Sequence, residues 1–134
     1  MTTSPANLPN SRPPAIALVP MVVTLRENAD SMAARLQRLD AATALTETRA
    51  LVESACAAVQ RIHETTHTRA ASAGLARAEA FALRELAAAR RHQDLAGKSG
   101  ETCRAACELA VRAVLRALDT LLAELIPYSL APDA

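Results

Sequence analysis

From residue 107 to residue 125 the large apolar side chains keep one period. Cys107, Val111, Val114, Leu118, Leu121 and Leu125 are separated by 4, 3, 4, 3 and 4 positions. Only an α-helix brings such positions to one side; a strand would need alternation by twos. Arg104, Glu108, Arg112, Arg116 and Asp119 occupy the opposite side, which is therefore charged. The same spacing recurs near the other end of the chain, through Leu18, Val22, Leu25, Ala29, Met32, Leu36 and Leu39. Two heptad seams, one at each end, predict an all-α antiparallel helical bundle with coiled-coil-like packing within one chain or between two.

Between the seams, Leu45, Val52, Cys56, Val59 and Ile62 or His63 follow one side of a second helical stretch. It is expected to start at about Thr43, with Thr43 or Thr46 as its cap. Ser72-Ala73-Gly74 predicts a break or kink. The alternative is a helix running on to about Ala96 as one long hairpin, because glycine inside a helix costs only about 1 kcal/mol against alanine. The count is thus three to four helices. Gly97-Lys98-Ser99-Gly100 predicts a turn, with Ser99 or Gly100 capping the last helix. Pro20 sets the expected start of the first helix, and Pro127 the end of the last. Residues 1–15 hold four of the seven prolines and no apolar period, so they read as a disordered arm. "SRPP" within the arm is also the kind of segment that a proline-reading groove takes. Residues 16–128 are the expected bundle domain and 129–134 a short tail.

Charge excludes several functions. Fifteen basic residues face 14 acidic ones, for a net charge of +1. No global field is available to hold a polyanion or a charged membrane surface. Residues 69 to 116 carry a local excess of +4, nine basic against five acidic. No stacking aromatics accompany it, since Phe81 and Tyr128 are the only aromatics in the chain. Neither nucleic acid nor membrane is expected as a partner. The longest apolar run, Ile16 to Leu25, is about half of the roughly 20 residues that span a bilayer. "MTTSPANLPN" lacks the basic start and apolar core of a secretory signal. Three cysteines make no disulfide framework. The expected location is cytoplasmic. Fourteen arginines against one lysine, with 32 alanines, resemble a GC-rich bacterial coding sequence.

With so few aromatics the interior must be built from leucine, valine and alanine, and each alanine contact buries little area. Association is the usual remedy. A homodimer is therefore expected, with Val111, Val114, Leu118, Leu121 and Leu125 as its interface.

One motif carries a sharper chemistry. "HETTH", residues 63 to 67, matches H-E-x-x-H. His63 and His67 stand one helical turn apart and could share a zinc ion, with Glu64 as general base for its water. The third ligand is the difficulty. A metzincin continuation needs glycine at 70 and histidine at 73, where the chain has Ala70 and Ala73. Glu79 and Glu85 are the later carboxylates, and nothing around them marks a substrate cleft. Arg61, Thr65, Thr66, Thr68 and Arg69 make the surroundings polar. Glu64-x-x-His67 is also half of a di-iron carboxylate site, but no second E-x-x-H follows. The motif reads as a polar helix face, and no catalytic residue is assigned.

A second constellation rests on sulfur. Cys103 and Cys107 are one turn apart, and His92 lies just before the Gly97–Gly100 turn. A hairpin there brings His92 to their level. With a break at Gly74, Cys56 is expected at a similar height. Cys56, His92, Cys103 and Cys107 would then suit a tetrahedral zinc site or a thiol-rich copper site. Buried cysteine acting as a small hydrophobe explains Cys56 and Cys107 equally. "AGKSGET" is not a phosphate loop, because His92 stands where its first glycine belongs. No glycine-framed serine supports triad chemistry. The expectation is a non-enzymatic bundle, of adaptor, chaperone-like or assembly type. It would act by self-association or by taking a partner helix into a groove. A metal-binding bundle is the alternative.

Overall fold

The computed structural model describes residues 15–66, 72–96 and 100–130. Four helices occupy nearly all of them: α1 (Leu18–Arg35), α2 (Ala41–Thr66), α3 (Ala73–Ala96) and α4 (Gly100–Leu130). A 3-10 turn at Ala15–Ala17 leads into α1, and another at Leu36–Arg38 leads out of it. No strand occurs among the described residues. The fold is all-α, as the spacing implied. Of the expected arm only Ala15 is described, and the tail beyond Leu130 and most of the Gly97–Gly100 turn, Ser99 included, lie outside the described residues.

The hub is α4, which packs against each of the other three helices. A helix surrounded in this way needs more than one apolar side. Cys107, Val111, Val114, Leu118, Leu121 and Leu125 are all 0% exposed. Ala106, Ala110, Ala113 and Ala117 are buried beside them, and their small size lets neighbouring backbones approach closely. Val22, Met32 and Leu36 of the first seam, Val52, Val59 and Ile62 of α2, and Leu75 and Leu86 of α3 close the core. The five residues expected to join two copies are therefore interior to one chain. The heptad spacing reports a central helix here, not a face between copies.

At least one ion pair joins each pair of neighbours around the ring. Arg35–Glu47 (3.1 Å) links α1 to α2, and Arg90–Glu53 (3.4 Å) links α2 to α3. Arg116–Glu85 (2.8 Å) links α3 to α4, and Arg26–Asp119 (2.6 Å) links α4 to α1. At an exposed surface these pairs add little stability, but their sequence of partners fixes the antiparallel register.

Several helix ends differ from the expectation. α1 begins at Leu18, before Pro20. A proline in the first turn loses nothing, because the first four amides have no intrahelical acceptor. The cap of α2 is Asp40, not Thr43 or Thr46. Its carboxylate accepts from the Thr43 amide (2.8 Å) and the Thr43 hydroxyl (3.1 Å). Those bonds hold the Asp40 carboxyl below its usual range. The break near Gly74 is real: α2 ends at Thr66, and Ser72 caps α3 by accepting from the Leu75 amide (3.1 Å). A Cβ on Gly74 would collide with the Glu124 carboxylate, so glycine leaves room for that group at the start of α3. A negative group there matches the positive end of the helix dipole. α4 passes through Pro127 to Leu130 instead of stopping. In the last turn the ring removes only one backbone bond, and the Ser129 hydroxyl donates to the Ile126 carbonyl (2.8 Å).

Candidate functional site

The HETTH motif lies at the end of α2. His63 and Glu64 are exposed, while His67 lies outside the described residues. His63 Nδ1 stands 3.1 Å from Glu79 Oε1 on α3. Glu64 accepts a hydrogen bond from Gln60 on its own helix (3.0 Å). Glu85, the other later carboxylate, is held by Arg116 instead. The His63–Glu79 pair stands at the rim of a hollow of about 440 Å³, floored by Leu75, Ala76, Leu83 and Tyr128. One imidazole and one carboxylate do not make a metal centre. Among the described residues no three His, Cys, Asp or Glu side chains are placed to hold an ion.

The sulfur constellation separates along the bundle. Cys103 Sγ donates to the Ala41 carbonyl (3.6 Å), at the first residue of α2. Cys56 is about four turns further along α2, roughly 22 Å at 1.5 Å per residue. The height expected for Cys56 was therefore wrong: α2 and α4 run parallel, so the N-terminal end of α2, not its middle, meets Cys103. Cys107 is buried one turn above Cys103. Burial pushes its thiol pKa up, the neighbouring Cys103 adds to the shift, and the Thr48 hydroxyl opposes it. A zinc ligand must be a thiolate, and this environment favours the protonated form. His92 is half-buried on α3 and joins no such cluster. All three cysteines are free thiols.

A different feature emerges between α1 and α2. The two helices run antiparallel and, among adjacent helices of the ring, make the thinnest contact. An open trough runs along their seam as two adjoining hollows. The first, about 540 Å³, is lined by Pro20, Met21, Thr24 and Leu25 of α1 and by Ser54, Ala57, Ala58 and Arg61 of α2. The second, about 290 Å³, continues from Leu25 and Ser54 past Asn28, Ser31, Met32, Ala50 and Leu51 to the Arg35–Glu47 pair. Leu25 and Ser54 line both, so the two hollows adjoin along the seam.

Its local cause is side-chain size. Ala50, Ser54, Ala57 and Ala58 put small residues on the α1-facing edge of α2, and Thr24, Asn28 and Ser31 put short polar ones on the facing edge of α1. Short side chains on both edges cannot meet across the gap, so Met21 and Leu25 stay partly accessible above the buried Met32 and Leu51. A groove for a partner helix was expected from the sequence, but its place between α1 and α2 and its lining residues were not. The signal was there, in the small residues at positions 50, 54, 57 and 58, but alanine is so frequent that the stripe does not stand out.

Nothing outside the chain supplies a precedent: no protein-family model, no curated protein and no solved structure matches it.

Proposed function

We propose that this chain is a non-enzymatic interaction protein that receives an α-helix in the trough between α1 and α2. The observation that carries this reading is the pair of adjoining hollows, sharing Leu25 and Ser54, in line along the facing lengths of both helices. From Glu47 to Arg61 along α2 is roughly 21 Å, the length of about four helical turns. An amphipathic helix laid in an apolar groove is a recurring mode of recognition, with anchors at i, i+3 or i+4 and i+7. The trough's apolar floor and short rim match that shape.

Self-association, where it occurs, is assigned to this same trough and not to the α4 seam, because the seam is used up inside the chain. A cytoplasmic setting suits three unpaired thiols, two of them buried. Metal binding has less support, since Cys56 lies about four turns from Cys103 and no three candidate ligands are placed together among the described residues.

The test is a titration of the full-length protein with a 16-residue amphipathic peptide bearing a leucine and alanine stripe, followed by amide chemical shifts. Shifts confined to Met21, Leu25, Ser54 and Ala57, and abolished by Ala57→Trp, support the proposal. Ala57 is exposed, so tryptophan there fills the trough without entering the core. Shifts scattered over α3 and α4, or none at millimolar peptide, refute it.

A further inference from the structure

We infer that the trough's occupant is an amphipathic helix with a carboxylate-bearing end, and that this end docks against Arg61. The inference rests on the helix-binding reading above and adds the chemistry and polarity of the partner.

Charge decides the polarity. At one end of the trough Arg35 and Glu47 neutralise each other at 3.1 Å. At the other end stands Arg61, beside Met21, Ala57 and Ala58. Arg61 takes part in none of the ion pairs among the described residues, which join other arginines to Asp30, Glu47, Glu53, Glu85, Glu108 and Asp119. No acidic side chain lines this half of the trough. The trough thus has a mostly apolar half that ends on one uncompensated positive charge, and a mixed half that ends on a neutral pair. A guest with its acidic end at Arg61 meets a complementary charge. A guest with a basic end there meets a repulsive one, and reversing it sets that charge against a neutral pair. A helix C-terminus also carries the negative end of the helix dipole, so acidic residues in the guest's last turn would add to a field of the same sign at Arg61.

Shape decides between a helix and a single acyl chain, the other ligand with an apolar body and an anionic head. Sites for small molecules bury most of the ligand's surface. This trough is open to solvent along its length, so an acyl chain in it would keep one side in water. A helix uses only one face in the groove and keeps its polar face outside, which suits an open channel.

The experiment uses the full chain and three 16-residue peptides sharing one leucine and alanine stripe. They carry two glutamates in the last turn, two lysines there, or two glutamates in the first turn. Affinities are read by fluorescence anisotropy at low and high salt. The peptide with C-terminal glutamates is expected to bind about fivefold tighter than its lysine counterpart, the scale of an exposed charge contact made or reversed. Salt should shrink the difference, and Arg61→Glu should invert the preference. Equal binding by all three, with Ala57→Trp still blocking it, overturns the charge assignment and leaves the helix-binding reading standing. Binding of none, or binding indifferent to Ala57→Trp, overturns both. Tighter binding with glutamates in the first turn than in the last refutes the stated polarity. A wild-type dimer that Ala57→Trp or Arg61→Glu dissociates in sedimentation equilibrium names a second copy as occupant and overturns the separate partner. Displacement of the peptide by micromolar dodecanoate reassigns the trough to an acyl anion.

Discussion

Leu118→Ala separates a core residue from an interface residue, and its cost can be worked from the structure. Leu118 is 0% exposed within the single chain, on the helix that touches all the others. Truncation to alanine removes about three carbons' worth of buried apolar surface, or roughly 2–2.5 kcal/mol at about 0.8 kcal/mol per methylene. The hole left behind adds to this. A cavity of this kind costs about 24 cal/mol per Å³, so roughly 50–80 Å³ of unfilled space adds about 1–2 kcal/mol. The expected loss is about 3–5 kcal/mol. For a chain of this size it corresponds to a fall in Tm of roughly 11–18 °C. Urea unfolding followed by circular dichroism at several protein concentrations is the assay, with Leu83→Ala, at a 56% exposed position, as the control. The control should lose under about 0.5 kcal/mol. The structure requires a loss at Leu118 that does not depend on concentration. A dimer through α4 requires a midpoint that rises with concentration. A concentration-dependent wild-type midpoint whose slope Leu118→Ala abolishes, or a loss at Leu118 below about 1 kcal/mol, would refute the assignment of the α4 seam to the interior.

Other substitutions probe the helix ends and the thiols. Pro127→Ala restores a backbone amide in the last turn of α4 and should raise stability by about 1 kcal/mol, read as a higher urea midpoint; a lower one would show that the exposed ring packs on a neighbour. Asp40→Ala should lower Tm at neutral pH, and the gap from wild type should close as the solution is acidified. The folded-state pKa of Asp40 is depressed, so its contribution is complete above the unfolded value of about 4 and is lost as pH falls through the lower folded value. A gap that persists undiminished at pH 2 would show that the capping charge is not its source. In native protein Ellman's reagent should modify the half-buried Cys56 first, and Cys103 and Cys107 only on unfolding; rapid modification of Cys107 would contradict its burial and raised thiol pKa.

The parts of this fold that were legible in the sequence are those set by one helix at a time. The period of 3.6 marked α1 and α4, and Ser72 with Gly74 marked the break before α3, because each is a local rule with a local residue behind it. Helix ends were less legible, since two signals competed at each. Asp40 and Thr43 are both good caps, and only the structure shows that Thr43 is the donor and Asp40 the acceptor. Pro127 is a stop signal that burial of Leu125 and Tyr128 on either side overrides.

Relations between helices were the least legible, and both errors there have one origin. The seam of α4 implied a partner surface without saying whose, and three helices of the same chain supply it. Cys56 was placed at the height of Cys103 by counting along the chain, but height in a bundle depends on where each helix begins. The Cys103–Ala41 contact shows α2 starting beside Cys103 and carrying Cys56 away from it. The trough falls in the same class. No single residue creates it: Ala57 on α2 and Thr24 on α1 are each unremarkable helix-surface residues, and only their facing one another leaves Met21 and Leu25 uncovered. Filling either edge with a larger side chain would close the gap from that side alone. The open state thus depends on both rims remaining short together, which makes Thr24→Leu a second way, independent of Ala57→Trp, to ask whether the space between α1 and α2 is used.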